Sequence, residues 1–253
     1  MPRWPLELVL DAAAAAGFHA VGLDHYTLHG CPVDELGSLL RDRGLACSDV
    51  GILPVGRDDA RAVAETLAHV ASATGAPTCI AAFFAPLGRT EAVRALEVCA
   101  DVLAPVGVRI ALEFASYGGL TRLSDAVALC AATGWQRCGL LVDTWHFFRG
   151  AAEWPVLRSL GGDQIALVHV NDGLEHVGDD LVWEGRHARL PVGTGSFPLA
   201  EFVRTLDAAG YRGVLSAEVL SDAVRTVPPA EGARTLLEAF QASCAFSPEL
   251  NLS

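Results

Sequence analysis

The chain has 253 residues, of which 51% are hydrophobic, and its mean hydropathy is +0.34. This length can bury one large core, and the formal net charge of −12 at pH 7 is the opposite of the basic surface that nucleic-acid binding requires. No run of about 18 uncharged apolar residues occurs, and the N-terminus lacks the basic and apolar regions of a secretory signal. We therefore expect neither nucleic-acid nor membrane partners.

Short apolar runs alternate along the chain with longer segments of helical period. A helix is predicted first, in WPLELVLDAAAAAG (4–17), and only three residues precede it. Helical segments such as DDARAVAETLAHVASATG (58–75) follow, and several end at a glycine that suits a left-handed cap. Between the helices lie seven predicted strands: HAVGLD (19–24), LACSDVGIL (45–53), PTCIAAFFA (77–85), VRIALEFA (108–115), CGLLVDTWH (138–146), IALVHVND (165–172) and GVLSAEVL (213–220).

The predicted strands are apolar along their whole length, which is typical of parallel strands buried on both faces. Repeated β/α units of about 25–30 residues then predict an α/β fold, a (β/α) TIM-type barrel. Because no strand precedes the first helix, we expect the barrel to lack its first strand and to have seven recognisable strands. No linker divides the chain, so residues 1–253 are expected to form a single domain.

A barrel of seven strands leaves a gap between its first and last strands. Unpaired strand edges promote unwanted pairing, so proteins usually cover them. We expect a loop, the segment after Phe240, or a partner chain to cover this gap. The one long irregular stretch, 173–196, exceeds the usual length of a connection and is expected to be functional.

The seven cysteines are scattered singly, and none forms a Cys-x-x-Cys pair. Most lie in apolar surroundings, such as Cys79 in PTCIAAFF and Cys130 in AVALCAATG. An odd number of isolated cysteines is typical of buried free thiols in a reducing compartment, and not of disulfides or zinc ligands. We therefore expect a cytoplasmic protein.

Four consecutive predicted strands end on a side chain that can bind a metal ion: Glu113, Asp143, His169 and Glu218. The carboxyl ends of the strands of a (β/α) barrel meet at one face, where active sites lie. Each residue alone has a simpler interpretation, since Asp143 suits a helix N-cap and a histidine after an apolar run is more often part of the core. Buried charges need a common partner, however, and three carboxylates with one imidazole favour Mn²⁺, Mg²⁺ or Co²⁺.

The segments LEFA, VDTWH, VHVND and GTGSFPLAEFVRTLDAAGYRGVLSAEV resemble the xylose-isomerase-like sugar isomerase and epimerase superfamily. The resemblance covers residues 5–240 and is most specific in the second half. It implies that the four strand-end side chains bind one divalent metal ion. It also implies that His146, in the D-x-x-H motif, and Arg189, just before LPVGTG, bind substrate oxygens. The ends of the first three strands carry no motif that identifies the substrate.

The superfamily includes ketose 3-epimerases, hydroxypyruvate isomerase, inosose enzymes and dehydroshikimate dehydratases. A metal ion chelated by a carbonyl and a neighbouring hydroxyl acidifies the C–H bond between them. Glu113 and Glu218, on well-separated strands, are the candidate catalytic groups that remove and return the proton. We therefore predict a metal-dependent isomerase or epimerase that acts on a sugar or another polyhydroxy carbonyl compound through an enediolate.

Three alternatives are weighed against that prediction. Loss of a β-hydroxyl from the same enediolate would make the protein a dehydratase of the inosose or dehydroshikimate type. A barrel subunit without catalytic activity is the second alternative. The oligomeric state is a separate question, and a homo-oligomer is left open. A zinc-dependent apurinic endonuclease would need further histidines at earlier strand ends, and GILPVG and AAFFAP contain none. A small molecule is the expected partner.

Overall fold

The computed structural model describes residues 4–24, 28, 31–175, 178, 180–244 and 251–252. Its helices are α1 (Leu6–Ala16), α2 (Val33–Arg41), α3 (Ala60–Thr74), α4 (Arg89–Leu103), α5 (Leu123–Thr133), α6 (Thr144–Arg149), α7 (Trp154–Arg158), α8 (Leu181–His187), α9 (Leu199–Ala208), α10 (Asp222–Thr226) and α11 (Pro229–Cys244). Its strands are β1 (Ala20–Asp24), β2 (Ala46–Pro54), β3 (Thr78–Ala82), β4 (Arg109–Glu113), β5 (Cys138–Asp143), β6 (Ile165–Val170), β7 (Val214–Ala217) and β8 (Asn251–Leu252).

The strands form one parallel sheet in which each strand lies beside the next one along the chain. The sheet is a nearly closed barrel, so the predicted (β/α) TIM-type fold is confirmed. β1–β7 coincide with the seven strands that the apolar runs predict. In the described part of the chain that precedes β1, only the helix α1 occurs, as expected.

The eighth position of the sheet is filled by a strand that the sequence did not predict. β8 has two residues, and it pairs with Val214 and Leu215 on the open edge of β7. The segment after Phe240 was one of the three expected covers for this edge, and Asn251 and Leu252 of that segment take this place. Residues 245–250 lie outside the described part of the chain.

The barrel interior is packed beneath its carboxyl-end face. Ala111, Leu141 and Leu167 are almost completely buried and form a small apolar cluster of their own. Each lies two residues before a candidate metal ligand on the same strand. Because side chains alternate along a strand, each shares the inward face of its strand with that ligand. A second and larger core fills the space between the sheet and the helices, with buried side chains that include Leu36, Leu96 and Phe202.

The cysteines behave as the composition predicts. The six whose side chains the structure describes are free, and five of them are buried. The Sγ atoms of Cys130 and Cys138 lie 3.5 Å apart without a bond between them. Within the described ranges, none of the helices is long and apolar enough to cross a lipid bilayer.

Candidate metal centre

The structure brings the four strand-end side chains together at the carboxyl-end face of the barrel. One ligand atom from each of Glu113, Asp143, His169 and Glu218 lies within 4.8 Å of all the others. Glu113 and Asp143 are the last residues of β4 and β5, His169 is the penultimate residue of β6, and Glu218 directly follows β7. The grouping therefore follows from the parallel strands, which bring their carboxyl ends to one face.

Asp143 is both a helix cap and a member of the candidate ligand group, two interpretations that the sequence alone left as alternatives. Its Oδ1 atom accepts hydrogen bonds from the backbone N–H groups of Trp145 (2.7 Å) and His146 (3.1 Å), so Asp143 is the N-cap of α6. Its Oδ2 atom faces the other strand ends and lies 3.8 Å from Nδ1 of His169. One oxygen of the carboxylate caps the helix, and the other lies among the candidate ligands, where it also accepts a hydrogen bond from Arg189.

The imidazole of His169 provides a test of whether a metal ion fits. Its Nδ1 atom is buried and has no hydrogen-bond partner. Nδ1 nevertheless lies 3.4 Å from Oε2 of Glu218 and 3.8 Å from Oδ2 of Asp143. A buried ring nitrogen that lies among carboxylate oxygens without a hydrogen bond is unfavourable unless a proton or a metal cation lies between them. Three carboxylates and one imidazole therefore fit a divalent metal ion.

The pKa shifts at the site follow from burial and from the charged groups that lie close together there. Burial raises the pKa of Glu113 to about 8, and the neighbouring Glu218 and Asp143 carboxylates add to this effect. Burial alone would lower the pKa of His169, but Glu218 and Asp143 outweigh it and raise the pKa to about 9. The raised pKa values of Glu113 and His169 mean that both groups hold protons, which offset the negative charge of the neighbouring carboxylates. A bound divalent cation would offset the same charge.

Arg189, predicted to bind substrate, lies directly on the ligand set. Its buried Nη1 atom donates hydrogen bonds to Oδ2 of Asp143 (2.8 Å) and Oε2 of Glu218 (2.7 Å), and its Nε atom donates to the carbonyl of Gly185 (2.7 Å). Although burial alone would raise the pKa of Glu218, His169 and Arg189 hold it well below its usual range. Arg189 therefore orients two ligand candidates, and its contact with substrate stays a prediction.

His146, the other predicted substrate-binding residue, is buried beside Glu113. Its Nδ1 atom accepts a hydrogen bond from the backbone N–H of Ser116 (3.3 Å), so this nitrogen carries no proton in the neutral ring. Burial lowers the pKa of His146 to about 4, and the ring is therefore neutral at pH 7. The N–H group is then at Nε2, which lies 3.7 Å from Oε1 of Glu113 and can donate to a substrate oxygen.

Sequence reasoning missed two polar side chains at the site, Asn171 and Glu184. The amide of Asn171 donates to both carboxylate oxygens of Asp143 at 3.3 Å. Asn171 lies two residues after His169, so strand alternation could have placed it on the same face. Glu184 is buried in α8, within the 173–196 stretch that was expected to be functional. For Glu184 the sequence has no comparable pattern, because a single carboxylate in a short polar segment does not indicate that it is buried near the site.

Comparisons with known proteins agree with this architecture. The family model described as xylose isomerase-like TIM barrel matches residues 10–243. The structure superimposes on the IOLI protein with a binding zinc atom with a TM-score of 0.87, at 17% identity and covering 96% of this chain and 94% of that chain. It also matches D-allulose 3-epimerase from Methylomonas sp. with a TM-score of 0.74, at 18% identity and covering 94% and 91%. At these identities the likeness shows the shared fold.

Two curated relatives that the chain resembles in sequence are named as different kinds of enzyme, a dehydratase and an isomerase. The chain is 32% identical over 172 residues to a 3-dehydroshikimate dehydratase of Pseudomonas aeruginosa, which corresponds to 66% of this chain and 25% of that protein. It is 26% identical over 157 residues to an inosose isomerase of Bacillus licheniformis, which corresponds to 59% and 54%. The chain thus spans only about a quarter and about half of these relatives.

Proposed function

The chain belongs to the xylose isomerase-like TIM barrel family, and from that premise we propose that it is a divalent-metal-dependent isomerase or epimerase. The proposed substrate is a sugar or another polyhydroxy carbonyl compound, and the proposed reaction is proton transfer at a carbon next to the carbonyl. The observation that carries this proposal is the convergence of three carboxylates on His169, whose buried Nδ1 atom has no hydrogen-bond partner.

Glu113, Asp143, His169 and Glu218 are the residues that would hold the ion, with Mn²⁺, Mg²⁺ or Co²⁺ as the proposed metals. The ion would polarise the substrate carbonyl and so acidify the neighbouring C–H bond. The sequence contains no lysine, so no lysine amine is present to activate a carbonyl as a Schiff base. A metal-assisted route is therefore the one that the side chains of this site support.

The side chains around the ion have separate proposed tasks. Glu113 and Glu218 project from β4 and from the end of β7, so they can reach a bound carbon from different sides and can remove and return its proton. The Nε2–H group of His146 orients a substrate oxygen beside Glu113. Arg189 holds Asp143 and Glu218 in position and offers its remaining N–H groups to substrate.

A dehydratase is the second candidate. The observation that favours it is the 32% identity over 172 residues to a 3-dehydroshikimate dehydratase. The same proton removal leads to loss of water when a hydroxyl lies on the next carbon of the substrate. The two candidates therefore share the site and differ in the bond that breaks after the first proton transfer.

The experiment that tests the proposal measures exchange of a substrate C–H for deuterium in D₂O with metal-loaded protein. The panel should contain ketoses, inososes, hydroxypyruvate, dehydroshikimate and glycosides with apolar aglycones. Metal-dependent exchange on at least one compound is expected, and a product that has lost water would identify the dehydratase. Metal-loaded protein that exchanges none of them would contradict both candidates and favour a barrel without activity.

The setting of the activity is also proposed. The isolated cysteines support a cytoplasmic location, because free thiols persist in reducing compartments. The net charge of −12 supports a small-molecule substrate over a nucleic acid. Size-exclusion chromatography with light scattering would measure whether the chain is a homo-oligomer.

A further inference from the structure

Glu184 is a buried carboxylate that the proposed mechanism does not use. It lies in α8, and its side chain is only 2% exposed. Its Oε1 atom accepts hydrogen bonds from Nε of Arg149 (2.9 Å) and from the indole Nε1 of Trp145 (3.2 Å). Its Oε2 atom is buried and has no hydrogen-bond partner. Glu184 thus joins α8 to two residues of α6, the helix that Asp143 caps.

Stability alone is a poor explanation for this arrangement. Taking a carboxylate and a guanidinium out of water is energetically costly, and apolar side chains of similar volume often stabilise a buried site as well or better. The orphaned Oε2 atom adds to the cost, because an unsatisfied buried acceptor is unfavourable. The neighbouring side chains Val182 and Trp183 are exposed, so α8 has little apolar surface that requires this anchor.

The indole that Glu184 holds lies against both substrate-binding candidates. The ring of Trp145 meets the imidazole of His146 edge-on, with centroids 5.1 Å apart and an interplanar angle of 87°. The guanidinium carbon of Arg189 lies 5.5 Å from the centroid of the Trp145 ring. A rotation of the indole would therefore displace the surface on which His146 and Arg189 rest.

The next residue of α8 strengthens this connection. The carbonyl of Gly185 accepts the hydrogen bond from Nε of Arg189 at 2.7 Å. A Cβ atom at Gly185 would lie 3.0 Å from both Trp145 and Tyr117, so the helix backbone lies close against these rings. Two successive residues of α8 thus fix Trp145 through a side chain and Arg189 through a backbone carbonyl.

We propose that Glu184 is a positioning residue that holds Trp145 in place and, through it, holds Arg189 and His146 against the ligand set. The structural part of this proposal stands on the contacts of α8, and only its kinetic readout rests on the proposed function. Glu184 does not touch the ligand candidates. Its loss should therefore impair substrate orientation and spare the metal ion.

The test compares Glu184→Leu, which removes both acceptor oxygens, with Glu184→Gln, which keeps one acceptor for Trp145. The control is Glu153→Leu, because Glu153 is also largely buried but pairs with Arg122 and Ser124 of the α5 N-terminus. All proteins are studied metal-loaded and labelled with ¹⁵N-arginine. The Nε–H signal of Arg189, assigned by its loss in Arg189→Lys, reports the position of this side chain without any substrate.

Glu184→Leu is expected to shift the Arg189 Nε–H signal and to speed its exchange with solvent, whereas Glu153→Leu leaves both unchanged. With a substrate in hand, Glu184→Leu should raise KM about tenfold, change kcat less, and leave the dissociation constant for Mn²⁺ within about threefold. Glu184→Gln should have a KM much closer to the wild-type value than to that of Glu184→Leu. A purely structural role would lower the melting temperature in both Leu variants and would move none of these readouts.

An unchanged Arg189 Nε–H signal in folded Glu184→Leu would overturn the proposal, even if no substrate has been found. Should Glu184→Leu fail to fold, Trp145→Phe takes its place, because it keeps the Glu184–Arg149 pair and removes the indole link. The same displacement of Arg189 is then expected, and its absence would also overturn the proposal. If only the proposed function is wrong, the NMR result is unaffected, and neither the wild-type protein nor any variant exchanges a substrate C–H for deuterium.

Discussion

The two halves of the barrel, β4–β7 and β1–β3, use similar apolar strands but end differently. The strand ends of β4–β7 supply the four side chains of the candidate metal centre. The strands of the first half end on Asp24, Pro54 and Ala82, and the one buried carboxylate in its described residues, Asp49, lies inside β2 and not at its end. Asp49 accepts a hydrogen bond from Oγ of Ser48 at 2.7 Å, and burial raises its pKa.

Under the proposed function, this difference means that the chemistry would depend on one half of the barrel, and the other half would be less constrained by it. The candidate metal ligands lie at the ends of β4–β7, and the groups that contact them, Arg189 and Asn171, follow β6 in the chain. The first-half strand ends would then complete the pocket and contribute to substrate choice.

The largest expected effect tests whether the second half carries the chemistry. Glu113→Gln and Glu218→Gln keep the size of the side chain and remove the base, so C–H exchange in D₂O should fall by at least ~100-fold. Metal content must be measured in each variant, since the glutamine oxygen is a weaker ligand. Glu153→Gln is the matched control and should exchange at the wild-type rate. Wild-type exchange in either site variant would remove that glutamate from the proposed mechanism.

The next effect tests the metal centre through stability. A ligand that binds only the folded state at 100 times its dissociation constant stabilises that state by about 2.7 kcal/mol. We expect Mn²⁺ or Co²⁺ to raise the melting temperature of metal-free protein, and His169→Ala to abolish the increase. Asp49→Asn, the buried carboxylate of the first half, should keep it. Loss of the increase in Asp49→Asn would mean that the centre extends across both halves.

Much of this division could be predicted from the sequence, because long apolar runs that end on a charge are local features. The strands β4–β7 and the candidate ligands at or next to their carboxyl ends were predicted in this way. β8 could not be, since two residues carry no period and their pairing with β7 depends on the whole barrel. The β/α repeat of the fold could thus be predicted from local sequence patterns, but the strand that pairs with the open edge of β7 could not.

The contacts within the site were harder to predict for a related reason. Asp143 was predicted to be a metal ligand, with a helix cap as the alternative. The structure shows the cap at Oδ1 and places Oδ2 near His169, so the ligand role stays a prediction. Glu184 meets Arg149 only because α8 lies against α6, and these residues are 35 positions apart. Spacing along a sequence indicates which side chains share a strand face, but it does not show which side chains meet from separate loops.

A smaller effect is expected from the close packing of the first half. A Cβ atom at Gly22 of β1 would lie 2.6 Å from Oδ1 of the buried Asp49. Gly22→Ala should therefore lower the free energy of unfolding by about 1–3 kcal/mol in urea denaturation, without changing metal affinity. Gly232→Ala in α11 meets only ordinary contacts and should stabilise by about 0.5–1 kcal/mol. If the clash with Asp49 is the cause, the loss should shrink in an Asp49→Ala background.

The smallest expected effect separates orientation from proton transfer within the second half. His146→Asn removes the Nε2–H donor beside Glu113 and leaves the ligand set intact, so KM should rise about tenfold while kcat falls less. The matched control is His187→Asn, because His187 lies in α8 and its Nδ1 atom pairs with Asp222 at 2.9 Å. Steady-state kinetics at pH 7 suit this comparison, since burial lowers the pKa of His146 to about 4 and keeps its ring neutral there. A fall in kcat as large as that of Glu218→Gln would show that His146 transfers a proton itself, and the strand ends would then share the chemistry with α6.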